Sequence, residues 1–390
     1  MKNIITKKLS IMVFLHFFAF GSVIPILSLY LLKNLGFAGS QVGMILAAGS
    51  ISSILSPLVS TFIADKIISS ERMFAIAHLF GSIIMISLYF SASFTTVFIL
   101  YLLYMAFIGP TMPLADTIIF HHLSDRKKYG NIRVWGTFGW ISTALFFGFF
   151  IMQRTGGDLS NALILSAIAS FFLGLFAFTI PKTNISETKH KSFLPVKAFR
   201  ILVQPKVLIL VLSTFLVFFA DRFYFFGSSP YLKSVGFPEK FIMPYLSIGQ
   251  ILEIGAMISL THFMVKFRAK TILIAGILVN MLRYALLTFF SSKLMTLLAV
   301  ACHGVAYTLF FSTVFILLDF QTEKESRAGV HQLFRIVYLG FGTLLGNLVA
   351  GHIKEHYVID NEYKLFWMVP AVIMGIVFIV MLFFPDKKKA

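Results

Sequence analysis

Residues 182–206, KTNISETKHKSFLPVKAFRILVQPK, are polar and basic, contain two prolines and interrupt a chain that is otherwise strongly apolar. Six apolar segments precede this stretch and six follow it. Each is close to the length of about 20 residues that a helix needs to cross a bilayer. The sequence therefore predicts an all-α integral membrane protein with 12 transmembrane helices in two six-helix bundles, 1–181 and 207–390, joined by a cytoplasmic linker, 182–206.

The composition excludes the usual soluble classes of protein. The chain has 390 residues and is 58% hydrophobic and 13% charged, whereas about a quarter of the residues in soluble domains are charged. Its net charge of +17 is expected from basic cytoplasmic loops rather than from nucleic-acid binding. Cys302 is the single cysteine and the sequence contains no phosphate-cradling glycine loop, so we expect neither a metal nor a cofactor.

The apolar segments are numbered here as spans 1 to 12. Their predicted ranges are 10–32, 41–63, 73–93, 95–121, 131–152, 160–180, 207–232, 241–265, 270–290, 294–318, 328–352 and 364–384. Span 1 is too long for the core of a signal peptide, so we expect it to be retained. Lysine and arginine are roughly three times as frequent in the termini and even-numbered loops as in the odd-numbered loops. This bias predicts that both termini are cytoplasmic, in a cell membrane that would be the inner membrane in a bacterium.

A short repeat links the two predicted bundles. Residues 30–37, YLLKNLGF, end span 1, and residues 231–237, YLKSVGF, end span 7. Gly36 and Gly236 are 200 positions apart. This spacing is expected if a six-helix unit was duplicated, as in one large class of transporters.

Ionisable side chains inside the spans are the most informative residues, because a charge in the bilayer centre costs several kcal/mol or more. Glu253 lies near the middle of span 8, where loss of water favours the neutral carboxyl group. A carboxyl group that binds and releases a proton at this depth suits proton coupling. The alternative is a structural ion pair between Glu253 and one of the intramembrane arginines.

Arg283 and His303 are expected to assist that carboxyl group. They are 20 residues apart on either side of the short loop between spans 9 and 10, so we expect them at similar depths in neighbouring antiparallel helices. Arginine favours the charged form of a nearby carboxylate, and histidine can relay a proton. The alternative for His303 is a packing role.

Spans 5, 8 and 10 carry the predicted solute-binding residues. Arg133, Thr137 and Trp140 share one face of span 5 and combine a forked donor, a hydroxyl and a flat ring, which suits a polyhydroxylated or ring-bearing solute. The alternatives are a membrane-end anchor for Arg133 and an interface or core aromatic for Trp140. The remaining members of the set are Gln250, Glu253 and Tyr307. Gln250 shares a helix face with Glu253, and Tyr307 shares one with His303.

Structural ion pairs are expected from three further residues. Asp116 in span 4 is a candidate partner of Arg133, and Asp221 in span 7 is a candidate partner of Arg335 in span 11. Because neighbouring residues on a helix point apart, Asp221 and Arg222 are expected to have different partners.

Four stretches resemble the proton-symporter branch of the major facilitator superfamily, which contains lactose permease, the nucleoside–proton symporters and the phenylpropionate-type permeases. They are Ala64-Asp65-Lys66 with Ala77-His78, the helix-5 stretch Ile132–Trp140, the pair Gln250 and Glu253, and the spaced pair Arg283 and His303. The resemblance implies two rocking bundles with a central cavity that opens alternately to each side. Ala306 and Gln250 occupy the positions of two key glutamates of lactose permease, which assigns the coupling role to Glu253 and argues against galactoside recognition.

The function predicted on these grounds is proton-coupled symport of a small polar solute, nucleoside or sugar-like, by a monomer that binds the solute, a proton and the lipid bilayer. A transporter of aromatic acids, or a drug–proton antiporter on the same fold, is an alternative. The lack of proline in span 5 argues against the antiporter. A multipass membrane enzyme is more remote, because its best cluster, His121, His122 and Asp125, resembles an ordinary helix end. We expect no enzymatic activity.

Overall fold

The computed structural model describes residues 2–51, 68–123, 128–183, 196–323 and 326–385. Within these ranges all regular secondary structure is helical. Ten helices in the described part of the chain are long and apolar enough to cross a membrane, and two shorter apolar helices, Gly39–Ile51 and Asn161–Ala177, lie in spans 2 and 6. The predicted all-α membrane fold is confirmed.

Several spans consist of more than one helical piece. The helices are, in chain order, Lys2–Val23 and Leu27–Lys33 (span 1), Gly39–Ala47 (span 2), Ser70–Tyr89 (span 3), Phe94–Ile108 and Thr111–His122 (span 4), Tyr129–Phe146 and Met152–Arg154 (span 5), Asn161–Ala177 (span 6), Val196–Leu202, Pro205–Ser234 (span 7), Ile242–Lys266 (span 8), Ala269–Phe289 (span 9), Lys293–Tyr307 and Thr313–Phe320 (span 10), Arg327–Arg335 and Thr343–Tyr357 (span 11), and Lys364–Leu382 (span 12).

Within the described residues, three spans contain a π-helical turn, which holds one residue more than an α-helical turn. These turns are Phe147–Ile151 in span 5, Thr308–Ser312 in span 10 and Ile336–Gly342 in span 11. Such turns occur often at functional sites. Two of them begin directly after Tyr307 and Arg335, both of which the sequence singled out.

The chain forms two compact units. The first comprises Met1–Lys189 and Glu239–Pro244, and the second comprises His190–Pro238 and Tyr245–Ala390. Much of the predicted linker, 184–195, lies outside the described residues. Its end is described as the helix Val196–Leu202, which belongs to the second unit.

Small residues let the helices of the first unit approach closely, a common mode of packing within membranes. A Cβ atom on Gly139 of span 5 would collide with the carbonyl oxygen of Phe14 in span 1. A Cβ atom on Gly174 of span 6 would lie 2.8 Å from the side chain of Leu79 in span 3. Larger residues at these glycines would push the helices apart.

Spans 8 and 10 of the second unit are in still closer contact. A Cβ atom on Gly304 would collide with the carbonyl oxygen of Gly249 and would lie 2.9 Å from Cβ of Glu253. A Cβ atom on Gly249 would lie 3.7 Å from Cβ of His303. The two glycines therefore position Glu253 and His303 on adjoining surfaces of two packed helices.

The repeated sequences at the ends of spans 1 and 7 both turn at a glycine. Gly36 has φ = 67° and Gly236 has φ = 88°, values that glycine adopts more readily than other residues. The amide of Phe37 bonds the carbonyl of Leu31, and the amide of Phe237 bonds that of Leu232, at 3.1 and 3.0 Å. The two turns share the positive-φ glycine, but the first is one residue longer, because its bond reaches back six residues rather than five.

Candidate functional site

A buried carboxylate in span 7 is the centre of a charged cluster in the second unit. Asp221 is 4% exposed. Its Oδ2 accepts a hydrogen bond from Nη2 of Arg222 at 2.8 Å, and its Oδ1 lies 3.3 Å from Nη2 of Arg283. His303 Nδ1 lies 3.6 Å from the same Oδ1. Spans 7, 9 and 10 thus each contribute a charged or titratable side chain to one buried site.

Arg283 has polar partners besides Asp221, although only 2% of the residue is exposed. Besides Asp221, its guanidinium contacts His303 Nδ1 and the hydroxyl of Tyr284. The rings of Tyr224 and Tyr284 lie 4.8 and 4.4 Å from the guanidinium carbon. Aromatic faces attract a cation, so these rings help to hold the buried charge.

His303 is held between aromatic rings and the arginine. Its imidazole stacks on the ring of Tyr224, with centroids 4.4 Å apart and planes 18° apart. A guanidinium group has donors only. The Nδ1 atom that contacts Arg283 must therefore accept, which places the hydrogen of a neutral imidazole on Nε2.

The fixed charges of the cluster do not cancel. Two arginines face one carboxylate, so the sum is one positive charge when His303 is neutral. An uncompensated charge in an apolar interior is costly, and a second carboxylate in its neighbourhood would lower that cost. Glu253 is half-buried and packs against Gly304, the residue that follows His303.

Gln250 and Tyr307 add polar groups to spans 8 and 10, the two helices that contain Glu253 and His303. The Oε1 atom of Gln250 is buried and has no hydrogen-bond partner in the described part of the chain. Tyr307 is half-buried, and its ring lies 4.9 Å from that of Phe311. A buried acceptor without a donor is costly, and it can be satisfied by a ligand that brings an N–H or O–H group.

Span 5 presents its predicted binding residues in the first unit. Arg133, Thr137 and Trp140 are half-buried on one face, whereas Trp135 and Phe138 are 45% and 46% exposed. The guanidinium of Arg133 lies over the ring of Phe17, 4.2 Å from its centroid. Among the described residues no carboxylate pairs with Arg133, so its forked donors can bond a solute.

Two of the expected ion pairs are wrong. Asp116 accepts a hydrogen bond from the hydroxyl of Tyr129 at 2.7 Å rather than from Arg133. Asp221 does not pair with Arg335, which is exposed, but with Arg283 and its own neighbour Arg222.

The neighbours Asp221 and Arg222 were expected to point apart. The arginine side chain is long enough to fold back along the helix, over the ring of Phe218 at 4.2 Å, and reach the carboxylate. Sequence reasoning also missed Tyr224 and Tyr284. Their positions, three residues after Asp221 and one after Arg283, are the only signals the sequence offers.

The remaining cluster considered in the sequence lies at the end of span 4. His122 Nε2 contacts the carbonyl of Pro181 at 2.9 Å, whereas Asp125 lies outside the described residues. The described ranges contain no group of three or more histidine, cysteine, aspartate or glutamate residues that could hold a metal ion.

Comparison with known proteins covers almost the whole chain. Residues 3–389 match the family model described as nucleoside H+ symporter. YegT of Escherichia coli is 30% identical over 98% of this chain and 94% of its own length. The nucleoside permease NupG and the xanthosine permease of the same organism are 25% and 24% identical, over 96% and 94% of this chain and 95% and 92% of their own lengths.

Solved structures show the same fold. The crystal structure of the nucleoside transporter NupG superposes with a TM-score of 0.87 at 22% identity, covering 98% of this chain and 100% of that one. A bacterial homologue of the human lysosomal transporter Spinster gives a TM-score of 0.75 at 14% identity and covers 100% and 99% of the two chains. The prediction of a membrane transporter is confirmed, and the family match favours proton-coupled nucleoside transport over the aromatic-acid and drug alternatives. Because the family model spans nearly every residue, this multipass membrane protein belongs to the nucleoside H+ symporter family.

Proposed function

We propose that this chain couples the movement of a nucleoside to that of a proton, with Glu253 as the group that carries the proton. The observation on which this rests is the buried cluster of Asp221, Arg222, Arg283 and His303 with its excess positive charge. Glu253 lies on the helix packed against it. An ionised Glu253 would compensate the excess charge, whereas a protonated Glu253 would not.

The proposed proton step follows from that balance. A proton from the outer side binds the Glu253 carboxylate, and the neutral carboxyl group then shares the site with the solute. The positive charge on Arg283 favours the ionised carboxylate and so assists release of the same proton to the cytoplasm. His303 provides a nitrogen through which the proton can pass.

Solute contacts are proposed for residues of spans 5, 8 and 10. Trp140 stacks on the base, Arg133 donates its forked N–H groups and Thr137 offers a hydroxyl. Gln250 Oε1, a buried acceptor that lacks a donor among the described residues, accepts from the base or the ribose. Tyr307 and Glu253 complete the set. Transport would then proceed by alternating access, with the bound solute exposed to each side of the membrane in turn.

The test is solute-induced alkalinisation of unbuffered cells that express the chain, with nucleosides, galactosides, sucrose and phenylpropionate as solutes. We expect a pH rise with nucleosides alone. Glu253→Gln should abolish accumulation against a gradient, whereas Glu362→Gln, which changes an exposed carboxylate, should behave as the unmodified protein. Wild-type accumulation by Glu253→Gln would refute the assignment of the proton carrier, and a pH response to another solute would refute the substrate class.

Both termini are proposed to be cytoplasmic, because the basic loops alternate with loops poor in lysine and arginine. The test uses a Cys302→Ser chain that carries one new cysteine, either at Lys2 or at Asp360. A membrane-impermeant thiol reagent added to intact cells should label the cysteine at 360 and not the one at 2. Labelling at position 2 alone would reverse the orientation.

A further inference from the structure

A pair of buried histidines lies in the first unit. Neither histidine has a part in the proposed proton step or in the proposed solute contacts. His16 in span 1 and His78 in span 3 are both 0% exposed. Nδ1 of His16 lies 3.0 Å from Nε2 of His78. A hydrogen bond between two imidazoles needs one nitrogen that donates and one that accepts, so at least one ring is neutral.

The pair is connected to the binding face of span 5 through one phenylalanine. The ring of His16 packs edge-on against that of Phe17, with centroids 5.5 Å apart and planes 77° apart. The guanidinium of Arg133 lies over the same phenylalanine ring. Span 5 also rests on this ring, because a Cβ atom on Gly136 would lie 2.7 Å from it.

Each ring has a second nitrogen that takes no part in the hydrogen bond between the rings, and burying these two nitrogens costs free energy. His16 Nε2 and His78 Nδ1 are buried and have no hydrogen-bond partner among the described residues. Aromatic rings cover the pair instead: Phe74 lies 5.4 Å from His16 and 4.6 Å from His78. An apolar pair would fill the same space without leaving buried polar nitrogens unsatisfied. The single hydrogen bond between the rings is what an apolar pair cannot supply.

We propose that the hydrogen bond between His16 and His78 is a positioning element for solute binding. It fixes the ring of Phe17, and Phe17 in turn fixes the guanidinium of Arg133. The inference rests on the solute-binding role proposed for Arg133. It assigns recognition, and not proton transfer, to these two histidines.

Matched amide substitutions test the role of the bond itself. The amide group of asparagine reaches about as far as Nδ1 of histidine, and that of glutamine about as far as Nε2. His16→Asn and His78→Gln therefore keep a polar atom at the bonded position, whereas His16→Gln and His78→Asn misplace it. Because a buried hydrogen bond is worth about 1 kcal/mol, we expect the misplaced variants to raise the KM of nucleoside uptake roughly fivefold. The matched variants should stay within about twofold of the unmodified protein, and all four should keep its kcat.

Two outcomes would overturn the proposal. An equal loss in matched and misplaced amides would mean that the pair must titrate, because an amide bonds but does not take up a proton. Unchanged KM in all four variants would reduce the pair to packing. The amount of folded protein in the membrane, measured for each variant, separates either outcome from misfolding, and the matched variants keep the test open if the misplaced ones do not fold.

A double-mutant cycle shows whether the pair acts through Arg133. Nucleoside affinity would be measured by calorimetry on purified Arg133→Ala protein with and without His78→Asn. We expect no further loss from the second change, because the group being positioned is already gone. Additive losses would contradict the route through Phe17. A separate measurement tests the proposed function, which is refuted if the unmodified chain shows no nucleoside-induced alkalinisation.

Discussion

The two units hold their intramembrane arginines in different ways. In the first unit, Arg133 rests on the ring of Phe17 and has no carboxylate partner among the described residues. In the second unit, Arg283 lies within hydrogen-bonding distance of Asp221 and His303 and between two tyrosine rings. Both units contain a glycine turn with positive φ, at Gly36 and Gly236.

This difference suggests how two units of one chain can divide one task. An arginine without a carboxylate keeps its donors available to a solute, which suits recognition. An arginine bound to a carboxylate and a histidine responds to the charge of a further acid, which suits coupling. Variants of these two groups should therefore differ in kind: those in the charged cluster of the second unit should damage stability or coupling, and those on the span 5 face should damage affinity.

The largest effect is expected from Asp221→Asn. This change leaves the buried Arg283 and the half-buried Arg222 without their counter-ion, and breaking a buried pair costs about 3–5 kcal/mol. We expect a strong loss of thermal stability in detergent and no accumulation of solute.

The double variant Asp221→Asn with Arg283→Gln removes one charge of each sign and should regain part of the stability. If Asp221→Asn were as stable as the unmodified protein, the cluster would not stabilise the second unit. The proposed difference between Arg283 and Arg133 would then be wrong.

A smaller effect is expected where spans 8 and 10 touch. Gly304→Ala would drive a methyl group into the carbonyl oxygen of Gly249, and overpacking of this kind costs typically about 1–3 kcal/mol. We expect a lower unfolding temperature and less accumulation of solute, because Glu253 and His303 move apart. The matched control is Gly255→Ala in span 8, where nothing lies within 4 Å of the new methyl group. Equal behaviour of the two variants would show that the helices separate without consequence.

On the span 5 face, Trp140→Ala should weaken affinity and leave coupling intact. Stacking of a base on an aromatic ring is worth about 1–3 kcal/mol, so KM should rise at least about fivefold while the number of protons per solute is unchanged. Trp135→Ala, on the exposed face of the same helix, serves as the control. Loss of proton coupling in Trp140→Ala would argue against a division of labour between the units.

The smallest effect is expected from an exposed ion pair. Arg327 Nε lies 3.5 Å from Asp319 Oδ1, with side chains 43% and 47% exposed. Exposed pairs of this kind contribute about 0–1 kcal/mol, so Arg327→Ala should shift thermal unfolding little and leave accumulation unchanged. A loss as large as that of Asp221→Asn would mean that burial does not separate the two kinds of pair.

The fold and part of the candidate site follow from local patterns in the sequence. Apolar length alone reveals the spans, because a bilayer imposes it. The short connection between spans 9 and 10 makes them neighbours, so the spacing of Arg283 and His303 is enough to predict similar depth. The helical period likewise predicts the shared face of Arg133, Thr137 and Trp140.

The partners of Asp221 were not predictable in the same way. They depend on how spans 7, 9 and 10 turn about their axes, and on how far the side chain of Arg222 bends back along its own helix. The contact between His16 and His78 joins residues 62 positions apart. It depends on how spans 1 and 3 pack, which no periodicity within either span encodes.

The π turn that follows Tyr307 has a consequence for related sequences as well as for the fold. Such a turn is, in effect, an α-helix with one inserted residue, and one residue corresponds to about 100° of rotation. Deleting a single residue from Thr308–Ser312 would restore an ordinary helix and turn everything beyond it by that angle relative to His303. Chains of this kind are therefore expected to retain the extra residue even where the side chains of the turn change, because span length at this point sets which face of span 10 meets its neighbours.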